Sequence, residues 1–366
     1  ALEETSGDVL VFLPGRREIE QFIQSARERF VALDLTVLPL HGGLDAKAQD
    51  AVLQGRDDAR RRLIAATDLA ETSLTIEGLT AVVDAGLARR PRFDPRSGMT
   101  RLETRRISQA SATQRAGRAG RLGPGQAYRA WTPERHARLE TQSRPEILDA
   151  DLSPVQLEIA AWGATPQALD WVDTPTDAAW SAATGLLVAL GAVNANGTIT
   201  EQGKAMAGLP IHPRLAHLLV GSTAPTDVAL AIDLAALLSE PDPLRRGSRQ
   251  QHGADLRARL ELLRELRAGQ PVPDGVDRAA LRNLVKASEQ LGRLVTGRPD
   301  LGASDQGIDR ALLLAYPDRI AQLVSADGRR YRLRNGRAAT LHESDPLIGS
   351  PFLVVPALDF GEREGR

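Results

Sequence analysis

The sequence predicts an α/β domain built on a parallel sheet, followed by mostly α-helical domains and a small β-containing C-terminal region. Strand-like segments alternate with helical patterns in the first third of the chain, at residues 8–13, 36–40, 62–67, 80–84 and 126–131. Strands that alternate with helices pair in parallel, because each helix carries the chain back across the sheet. In such sheets, ligands bind at the carboxyl ends of the strands.

The helices are predicted from apolar residues that recur at three- and four-residue spacing, which marks the buried side of a helix. The first such stripe consists of Ile19, Phe22, Ile23, Ala26 and Phe30. Similar patterns recur at residues 180–190, 234–238, 256–266 and 281–295. Asn196-Gly197 follows the first of these later segments and predicts a short hairpin. Helices followed by a small hairpin are typical of a winged helix.

The composition excludes several classes of protein and of functional site. The chain of 366 residues has a formal net charge of −1 and no cysteine, which excludes disulfides, thiol catalysis and cysteine-based zinc sites. It has no apolar run long enough to cross a bilayer, so we expect a cytoplasmic protein without membrane contact. Aromatic residues make up 4% of the chain, which argues against a base-stacking platform. If nucleic acid binds, we expect contacts with its backbone.

The run QRAGRAGR at residues 114–121 is the most specific functional pattern. It places Arg115, Arg118 and Arg121 at three-residue spacing. A guanidinium is permanently charged and matches phosphate oxygens with two parallel hydrogen bonds. Helical spacing would bring Gln114, Arg118 and Arg121 to one face, where they could grip a triphosphate. The alternative interpretation is an arginine-rich face exposed to solvent.

Three further motifs precede this run. They are VLVFLPG at residues 9–15, LHGGL at 40–44, and AATDLAETSLTIEGL at 65–79 followed by VVDAG at 82–86. In this order, the four motifs resemble motifs IV to VI of the DEAH-box helicases of superfamily two. PDRIA at residues 317–321 is similar to the bacterial HrpB type within this family. The resemblance implies that the α/β domain is the second RecA-like domain of a helicase.

The resemblance divides the chain into four predicted domains. Residues 1–131 would form the second RecA-like domain, and residues 132–203 a linker and winged-helix domain. Residues 204–300 would form a helical, ratchet-like bundle, and residues 301–366 a C-terminal region of the HrpB type with a basic β-hairpin. The sequence contains neither a G-x-x-x-x-G-K-[S/T] loop nor a D-E-x-H box. We therefore expect a first RecA-like domain, which carries both in the family, in the intact protein.

The same resemblance assigns nucleotide roles. ATP and Mg²⁺ would be bound mainly by the first RecA-like domain, and we expect no metal ligand in this chain. The expected catalytic residues are Gln114, Arg118 and Arg121, and the expected ATP contacts are Ser73, Glu77 and Leu53. The two arginines would act as arginine fingers, and the glutamine would position the γ-phosphate or the attacking water. The serine would sense the nucleotide, the glutamate would approach the ribose, and the leucine stands where the family has an aromatic residue over the adenine.

RNA is the expected partner. By the resemblance, motif V contacts the backbone of the bound strand, and a basic hairpin between motifs V and VI lies near the nucleic acid. The expected RNA contacts are Gly15, Arg16, Thr67, Thr75, Arg92, Arg96 and Arg101. The turn signal DPRSG at residues 94–98 predicts this hairpin, whose alternative role is a charged, exposed sheet edge. Asp68 replaces an asparagine that is common in the family, which adds a negative charge near the phosphate path.

These observations favour the C-terminal portion of an ATP-dependent RNA helicase, which we expect to be catalytically inactive without the first domain. Two other classes stay open: a nucleic-acid-binding adaptor that does not hydrolyse ATP, and a winged-helix DNA-binding regulator. DNA stays open as a substrate, because phosphate contacts do not distinguish it from RNA. The sequence is compatible with a monomer and identifies no protein partner.

Overall fold

The structure, a computed structural model, describes residues 1–54, 60–71, 75–244, 253–295 and 306–358. The chain divides into two compact units. The first comprises Ala1–Arg92 and Arg101–Asp149, and the second comprises Phe93–Thr100 and Ala150–Arg366. The predicted fold class, an α/β domain followed by helical and small β regions, is confirmed. The boundaries between the four predicted domains stay predictions.

The first 130 residues contain the predicted strands. They are β1 (Asp8–Phe12), β2 (Leu35–Leu40), β3 (Arg61–Ala66), β4 (Leu79–Asp84), β5 (Leu87–Asp94), β6 (Met99–Arg106) and β7 (Gln126–Arg129). Five of them form a parallel sheet in the order β2-β3-β1-β4-β7. β5 and β6 form a separate two-stranded sheet, so the predicted hairpin is confirmed.

The strand β1 lies in the centre of the sheet, and all of its residues are buried. Leu10, Ile64 and Val82 lie side by side on adjacent strands and pack in one apolar cluster. The preceding pair, Val9 and Leu63, packs in a second cluster. Successive side chains of a strand point to opposite faces, so both faces of the sheet are covered. This is why the strand sequences are continuous apolar runs.

The first unit has four described helices, of which the first three pack against this sheet and the third contains the start of the QRAGRAGR run. They are α1 (Arg16–Arg29), α2 (Ala46–Leu53), α3 (Gln109–Ala116) and α4 (Pro133–Ala137). α1 buries Ile19 and Ala26 of the predicted stripe. The Asp45 side chain accepts from the Ala48 amide at 2.7 Å, and the Ser108 side chain accepts from the Ser111 amide at 3.1 Å. These caps set the first residues of α2 and α3, because they satisfy amides that have no partner within the helix.

The second unit is mostly helical. Its described helices are α5 (Ser153–Ala161), α6 (Asp177–Ala189), α7 (Glu201–Ala207), α8 (Pro213–Gly221), α9 (Pro225–Ser239), α10 (Arg257–Arg267), α11 (Arg278–Leu294) and α12 (Ile308–Ala315). α9 is buried from Ala229 to Leu237, as expected of a helix that is apolar all round. The Asn196-Gly197 turn is confirmed, although a single bridge between Val193 and Ile199 replaces a full hairpin ladder. No helix within the described ranges is long and apolar enough to cross a membrane.

The C-terminal region contains a four-stranded antiparallel sheet. Its strands are β8 (Ile320–Leu323), β9 (Arg330–Leu333), β10 (Ala338–Thr340) and β11 (Phe352–Val354), in the order β10-β9-β8-β11. The alternating basic sequence at residues 330–337 predicts a strand with a hairpin turn. β9 alternates exposed and buried residues, which confirms this strand. The sequence at residues 352–360 predicts a further strand. β11 ends at Val354, and residues 359 and 360 lie outside the described part of the chain.

Candidate nucleotide and nucleic-acid site

The four motifs lie in the first unit, three of them at the carboxyl ends of neighbouring parallel strands. Hydrogen bonds join these ends: the Leu13 amide donates to the Ala66 carbonyl at 2.8 Å, and the Thr67 amide donates to the Leu40 carbonyl at 3.1 Å. α3, which begins the QRAGRAGR run, packs against β4. This edge of the sheet is where ligands bind in parallel α/β folds.

Arg115 is the internal brace of the site. Its side chain is fully buried, with Nε 2.9 Å from Oε2 of Glu71 and Nη1 3.0 Å from Oδ1 of Asp84. The guanidinium lies over the ring of Phe12, with Cζ 4.7 Å from the ring centroid. Ser111 donates to the same Glu71 oxygen at 2.7 Å. Arg115 therefore ties the arginine run to motif V and to the central strand, and it is not available to a ligand.

The Asp84 side chain, near the end of motif V, is buried away from solvent. Burial raises the pKa of Asp84, although the charge of Arg115 and a 2.8 Å hydrogen bond from the Gly86 amide act in the opposite direction. Gly86 has a φ of +73°, and a Cβ there would lie 2.8 Å from the Trp131 ring. Any larger residue would meet both backbone strain and a steric clash. The positive φ of Gly86 and its contact with Trp131 therefore fix the backbone turn that follows β4.

Arg118 and Arg121 lie beyond the helix, because α3 ends at Ala116. The prediction that Gln114, Arg118 and Arg121 share one helical face is therefore wrong, because only Gln114 lies in the helix. The chain continues in tighter turns, in which the Arg118 amide donates to the Arg115 carbonyl at 3.1 Å. Gln114 is exposed on the last turn of α3, Arg118 is half-buried, and Arg121 is exposed. A glycine is required at 125, since a Cβ there would lie 2.1 Å from the Ala119 carbonyl oxygen.

Arg118 binds the backbone of motif V. Its Nε donates to the Glu71 carbonyl at 3.0 Å. Burial lowers the pKa of Arg118, and the nearby charge of Arg121 lowers it further, while Glu71 opposes the shift. The two expected arginine fingers therefore lie close enough for their charges to interact.

Two of the three expected ATP contacts, Glu77 and Leu53, lie in the described part of the chain. Ser73 lies outside the described residues. Glu77 has an exposed side chain, and its main-chain carbonyl accepts from Nη2 of the buried Arg62. Leu53 is half-buried at the end of α2 and packs against the apolar cluster that contains Leu10 and Phe12. None of these roles is tested by the geometry, and they stay predictions.

The expected RNA contacts in motifs IV and V occupy the strand ends. Gly15 is buried at the start of α1, and the exposed Arg16 pairs with Glu20 at 2.7 Å. Thr67 begins a short 3₁₀ turn, in which its side chain accepts from the Leu69 amide at 3.4 Å. Thr75 is exposed. Arg16 and Thr75 can reach a ligand in solvent, whereas Gly15 can offer only its backbone.

The basic hairpin is less positive than its sequence indicates. Arg92, Arg101 and Arg105 all pair with Glu103, with Arg92 Nη1 at 3.6 Å and Arg105 Nη2 at 2.7 Å. Burial alone would raise the pKa of Glu103, but the hydrogen bond from Arg105 and the three positive charges hold it below its usual value. Arg96, at the turn, is exposed and has no ion pair among the described residues.

Two protein-family models match the chain. A model described as "Helicase conserved C-terminal domain" matches residues 2–123, which span the sheet of the first unit and the arginine run. A model described as "Helicase associated domain (HA2), winged-helix" matches residues 183–211, which include the Asn196-Gly197 turn.

The chain is also similar to known proteins over almost its full length. The ATP-dependent RNA helicase HrpB of Escherichia coli (strain K12) is 38% identical over 359 residues, which are 98% of this chain and 41% of HrpB. The crystal structure of the E. coli DExH-box NTPase HrpB matches with a TM-score of 0.79 and 37% identity, over 99% of this chain and 42% of that chain. The chain belongs to the DEAH-box helicase family and is of the HrpB type.

Other members of the family match a shorter part. The pre-mRNA-splicing factor ATP-dependent RNA helicase prp22 of Schizosaccharomyces pombe is 36% identical over 261 residues, which are 69% of this chain and 22% of prp22. The predicted membership of the DEAH-box helicases and the predicted HrpB type are confirmed. The chain spans about two fifths of the length of HrpB.

Sequence reasoning missed the partner of Asp68, the residue at the position where DEAH-box proteins commonly have asparagine. Arg90 Nη1, on the hairpin, lies 3.4 Å from Asp68 Oδ2. The negative charge near the phosphate path is therefore compensated within the first unit. The available signal is the Arg89-Arg90 pair, which lies at the start of the basic hairpin sequence.

His212 and Lys204, both in the second unit, have structural partners. His212 Nε2 lies 3.1 Å from Asp151 Oδ2, and His212 Nδ1 accepts from the Arg214 amide at 3.2 Å at the start of α8. Lys204 pairs with Glu201 one turn away at 2.7 Å. Within the described ranges, no group of three or more histidine, aspartate or glutamate residues could hold a metal ion.

Proposed function

We propose that the chain is the C-terminal portion of an ATP-dependent RNA helicase that couples ATP hydrolysis to movement along or unwinding of RNA. The observation that carries this proposal is the attachment of Arg118 to the main-chain carbonyl of Glu71. It links the arginine run, which resembles the nucleotide-facing motif, to motif V, which resembles the strand-facing motif. The relatives named as RNA helicases support RNA as the substrate.

The nucleotide role of this chain would be electrostatic. ATP and Mg²⁺ would be held mainly by a first RecA-like domain. Arg118 and Arg121 suit a polyphosphate, because two neighbouring guanidiniums raise the local positive potential. They would stabilise the charge that develops on the transferred phosphoryl group, and Gln114 would orient the γ-phosphate or the water. An arginine finger contributes ~10³ to 10⁵ in rate, or roughly 4 to 7 kcal/mol.

Glu71 would couple a movement of Arg118 to the RNA-binding residues of motif V. Its carboxylate holds the buried Arg115, its carbonyl holds Arg118, and its segment follows the 3₁₀ turn that Thr67 begins. A displacement of Arg118 towards a phosphate would therefore move the motif V segment, and with it Thr67 and Thr75. Two states of one packed segment are the physical basis for such transmission.

The RNA contacts would be backbone contacts made by the strand ends and the hairpin. We propose Arg16, Thr67, Thr75 and Arg96 as the main contacts, with the Gly15 backbone beside them. Arg92 and Arg101 would contribute less than their charges indicate, because Glu103 already binds both. Backbone contacts predict weak sequence dependence and a steep loss of affinity with salt.

Reconstitution tests this function. The chain alone is expected to show no ATPase activity, whereas the longer protein with a first RecA-like domain is expected to show RNA-stimulated ATPase. Arg121→Ala in that protein should abolish turnover and leave the thermal midpoint unchanged, because Arg121 is exposed. ATPase activity in the chain alone would contradict the assignment. RNA binding without ATPase in the longer protein would instead favour a non-hydrolysing adaptor.

A further inference from the structure

Arg62 forms a buried ion pair at the edge of the five-stranded sheet where the parallel strands begin. It is the second residue of β3, and its partner Asp8 is the first residue of β1. Nε and Nη2 of Arg62 each lie 2.6 Å from Oδ2 of Asp8. The Arg62 amide also donates to Oδ1 of Asp8 at 2.7 Å. Both side chains are buried, so this pair fixes the orientation of the guanidinium.

The same guanidinium binds the backbone at the two described residues that are expected to contact ATP. Its Nη1 donates to the Val52 carbonyl at 2.9 Å and to the Gln54 carbonyl at 3.3 Å, on either side of Leu53. Its Nη2 donates to the Glu77 carbonyl. Carbonyls that share one planar guanidinium lie within roughly 8 Å of each other. The backbone at the residue expected beside the adenine is therefore held close to the backbone of the residue expected at the ribose.

Asp8 holds the Glu77 segment from a second side. The Asp8 amide donates to the Gly78 carbonyl at 2.9 Å. Gly78 has a φ of +80°, and a Cβ there would lie 3.2 Å from Oδ2 of Asp8. Glycine adopts this conformation without strain, whereas a larger residue would not. Arg62 and Asp8 together thus set the backbone that presents the exposed side chain of Glu77.

We propose that Arg62 is a positioning residue for nucleotide binding, which holds Leu53 and Glu77 at the spacing that the adenosine of ATP requires. This inference rests on the proposed function, in which these two residues face the adenine and the ribose. Arg62 itself makes no contact with the nucleotide, because its guanidinium is buried and bound to protein oxygens. Contacts that are held in place before a ligand arrives bind it more tightly, because less conformational entropy is lost on binding.

The neighbouring arginine shows that this arrangement is particular to Arg62. Arg61 donates to the Leu2 carbonyl at 2.7 Å and to the Thr5 hydroxyl at 2.8 Å, both in the segment that precedes β1. It therefore holds backbone from the same strand but binds neither expected ATP contact. A lone ammonium would balance the charge of Asp8, whereas the five donors of a guanidinium can also reach carbonyls of two further segments.

The test measures the Kd of ADP and of inorganic tripolyphosphate, both with Mg²⁺, by calorimetry in the longer protein with a first RecA-like domain. Arg62→Met combined with Asp8→Asn removes both charges, so neither is left buried alone. ADP binding should weaken about 5- to 100-fold, because two contact side chains must then be ordered on binding. Tripolyphosphate, which has no adenosine, should bind as it does to the parent. Arg61→Met is the matched control and should leave both affinities unchanged.

Turnover of the same double variant separates positioning from general damage. The KM for ATP should rise by the same factor as the Kd of ADP. The kcat at saturating ATP and RNA should stay within about 2-fold, because the lost contacts contribute equally to the ground state and the transition state. If the double variant fails to fold, Arg62→Gln with the same Asp8→Asn change replaces it, because the glutamine amide can bond to the asparagine but cannot reach both segments.

Three outcomes would overturn the proposal. One is an ADP affinity of the double variant that equals that of Arg61→Met. Another is an equal loss for ADP and tripolyphosphate, which would mean that the substitution disturbs the whole domain. The third is a parent protein that does not bind ADP. The helicase function is judged separately, since RNA-stimulated ATPase that is lost in Arg121→Ala would support it whatever the result for Arg62.

Discussion

The Nε atom of Arg115 lies 2.9 Å from Oε2 of Glu71, and both side chains are buried. Arg118, three residues later, donates instead to the main-chain carbonyl of the same glutamate. One residue of motif V therefore organises two arginines of one run. Arg115 is used up inside the domain, whereas Arg118 is presented at its edge beside Arg121.

Arg115→Ala is expected to destabilise the first unit strongly. The substitution leaves the carboxylates of Glu71 and Asp84 buried without their cation, and breaking a buried ion pair costs about 3 to 5 kcal/mol. Urea unfolding followed by circular dichroism measures the loss. Arg106→Ala, at an exposed position of β6, should change the stability by less than ~0.5 kcal/mol. Similar losses in the two variants would contradict the bracing role.

Asp68→Asn is expected to tighten RNA binding. The change releases Arg90 from its ion pair, so one more cation is available for a phosphate. Because exposed ion pairs are weak, we expect a gain of about 2- to 5-fold, with a steeper salt dependence of single-strand binding by ~0.7. Arg90→Ala should act in the opposite direction. Anisotropy titrations at several salt concentrations measure both, and weaker binding by Asp68→Asn would show that the pair itself is needed.

Met99→Ala and Leu102→Ala should differ sharply, although both residues lie on β6. Met99 is buried in the cluster that contains Tyr331 and Leu333, so its truncation leaves a cavity and should cost about 2 to 5 kcal/mol. Leu102 is 65% exposed and should tolerate alanine. Thermal unfolding of the two variants gives the comparison. If Met99→Ala proved neutral, the hairpin tip would not be part of the C-terminal core.

Asp318 is expected to contribute acid sensitivity. Burial alone would raise its pKa, but hydrogen bonds from Arg214, one of them 2.8 Å long, and the Arg214 charge hold the pKa of Asp318 below its usual value. The unfolded chain then binds more protons, so this contribution is present above about pH 4 and is lost as the pH falls through the lowered folded pKa. Asp318→Asn should therefore flatten the stability profile between pH 5 and about pH 3.

Urea unfolding at a series of pH values measures this effect. Asp170→Asn, at an exposed loop position, serves as the control and should keep the slope of the parent chain. A parent-like slope in Asp318→Asn would mean that the Arg214 pair does not contribute to acid unfolding.

Much of the first unit was predictable because its signals are local. The buried run of β1 and the turn signal before Gly98 each describe their own structure, and both were correct to within a residue or two. The helical face proposed for Gln114, Arg118 and Arg121 failed, because α3 ends before the second of these residues. Spacing in the sequence does not reveal where a helix ends if the last turns tighten.

The candidate site was likewise only partly predictable from the sequence. Residue types and their order were sufficient to recognise the arginine run, since the guanidinium group matches phosphate oxygens with paired hydrogen bonds. They could not separate Arg115 from Arg118, because the partners that decide their roles lie 44 and 47 residues away.

Local patterning was thus enough for the class of fold, the family and the set of candidate residues, because periodicity and motif order are properties of short segments. Local patterning was not enough to predict how charge is distributed at the site. Contacts between segments that are distant in sequence decide which arginines are neutralised by Glu71, Asp84 and Glu103. They also decide which arginines stay exposed on the C-terminal sheet. Only folding brings these charges within the few ångströms over which ion pairs act.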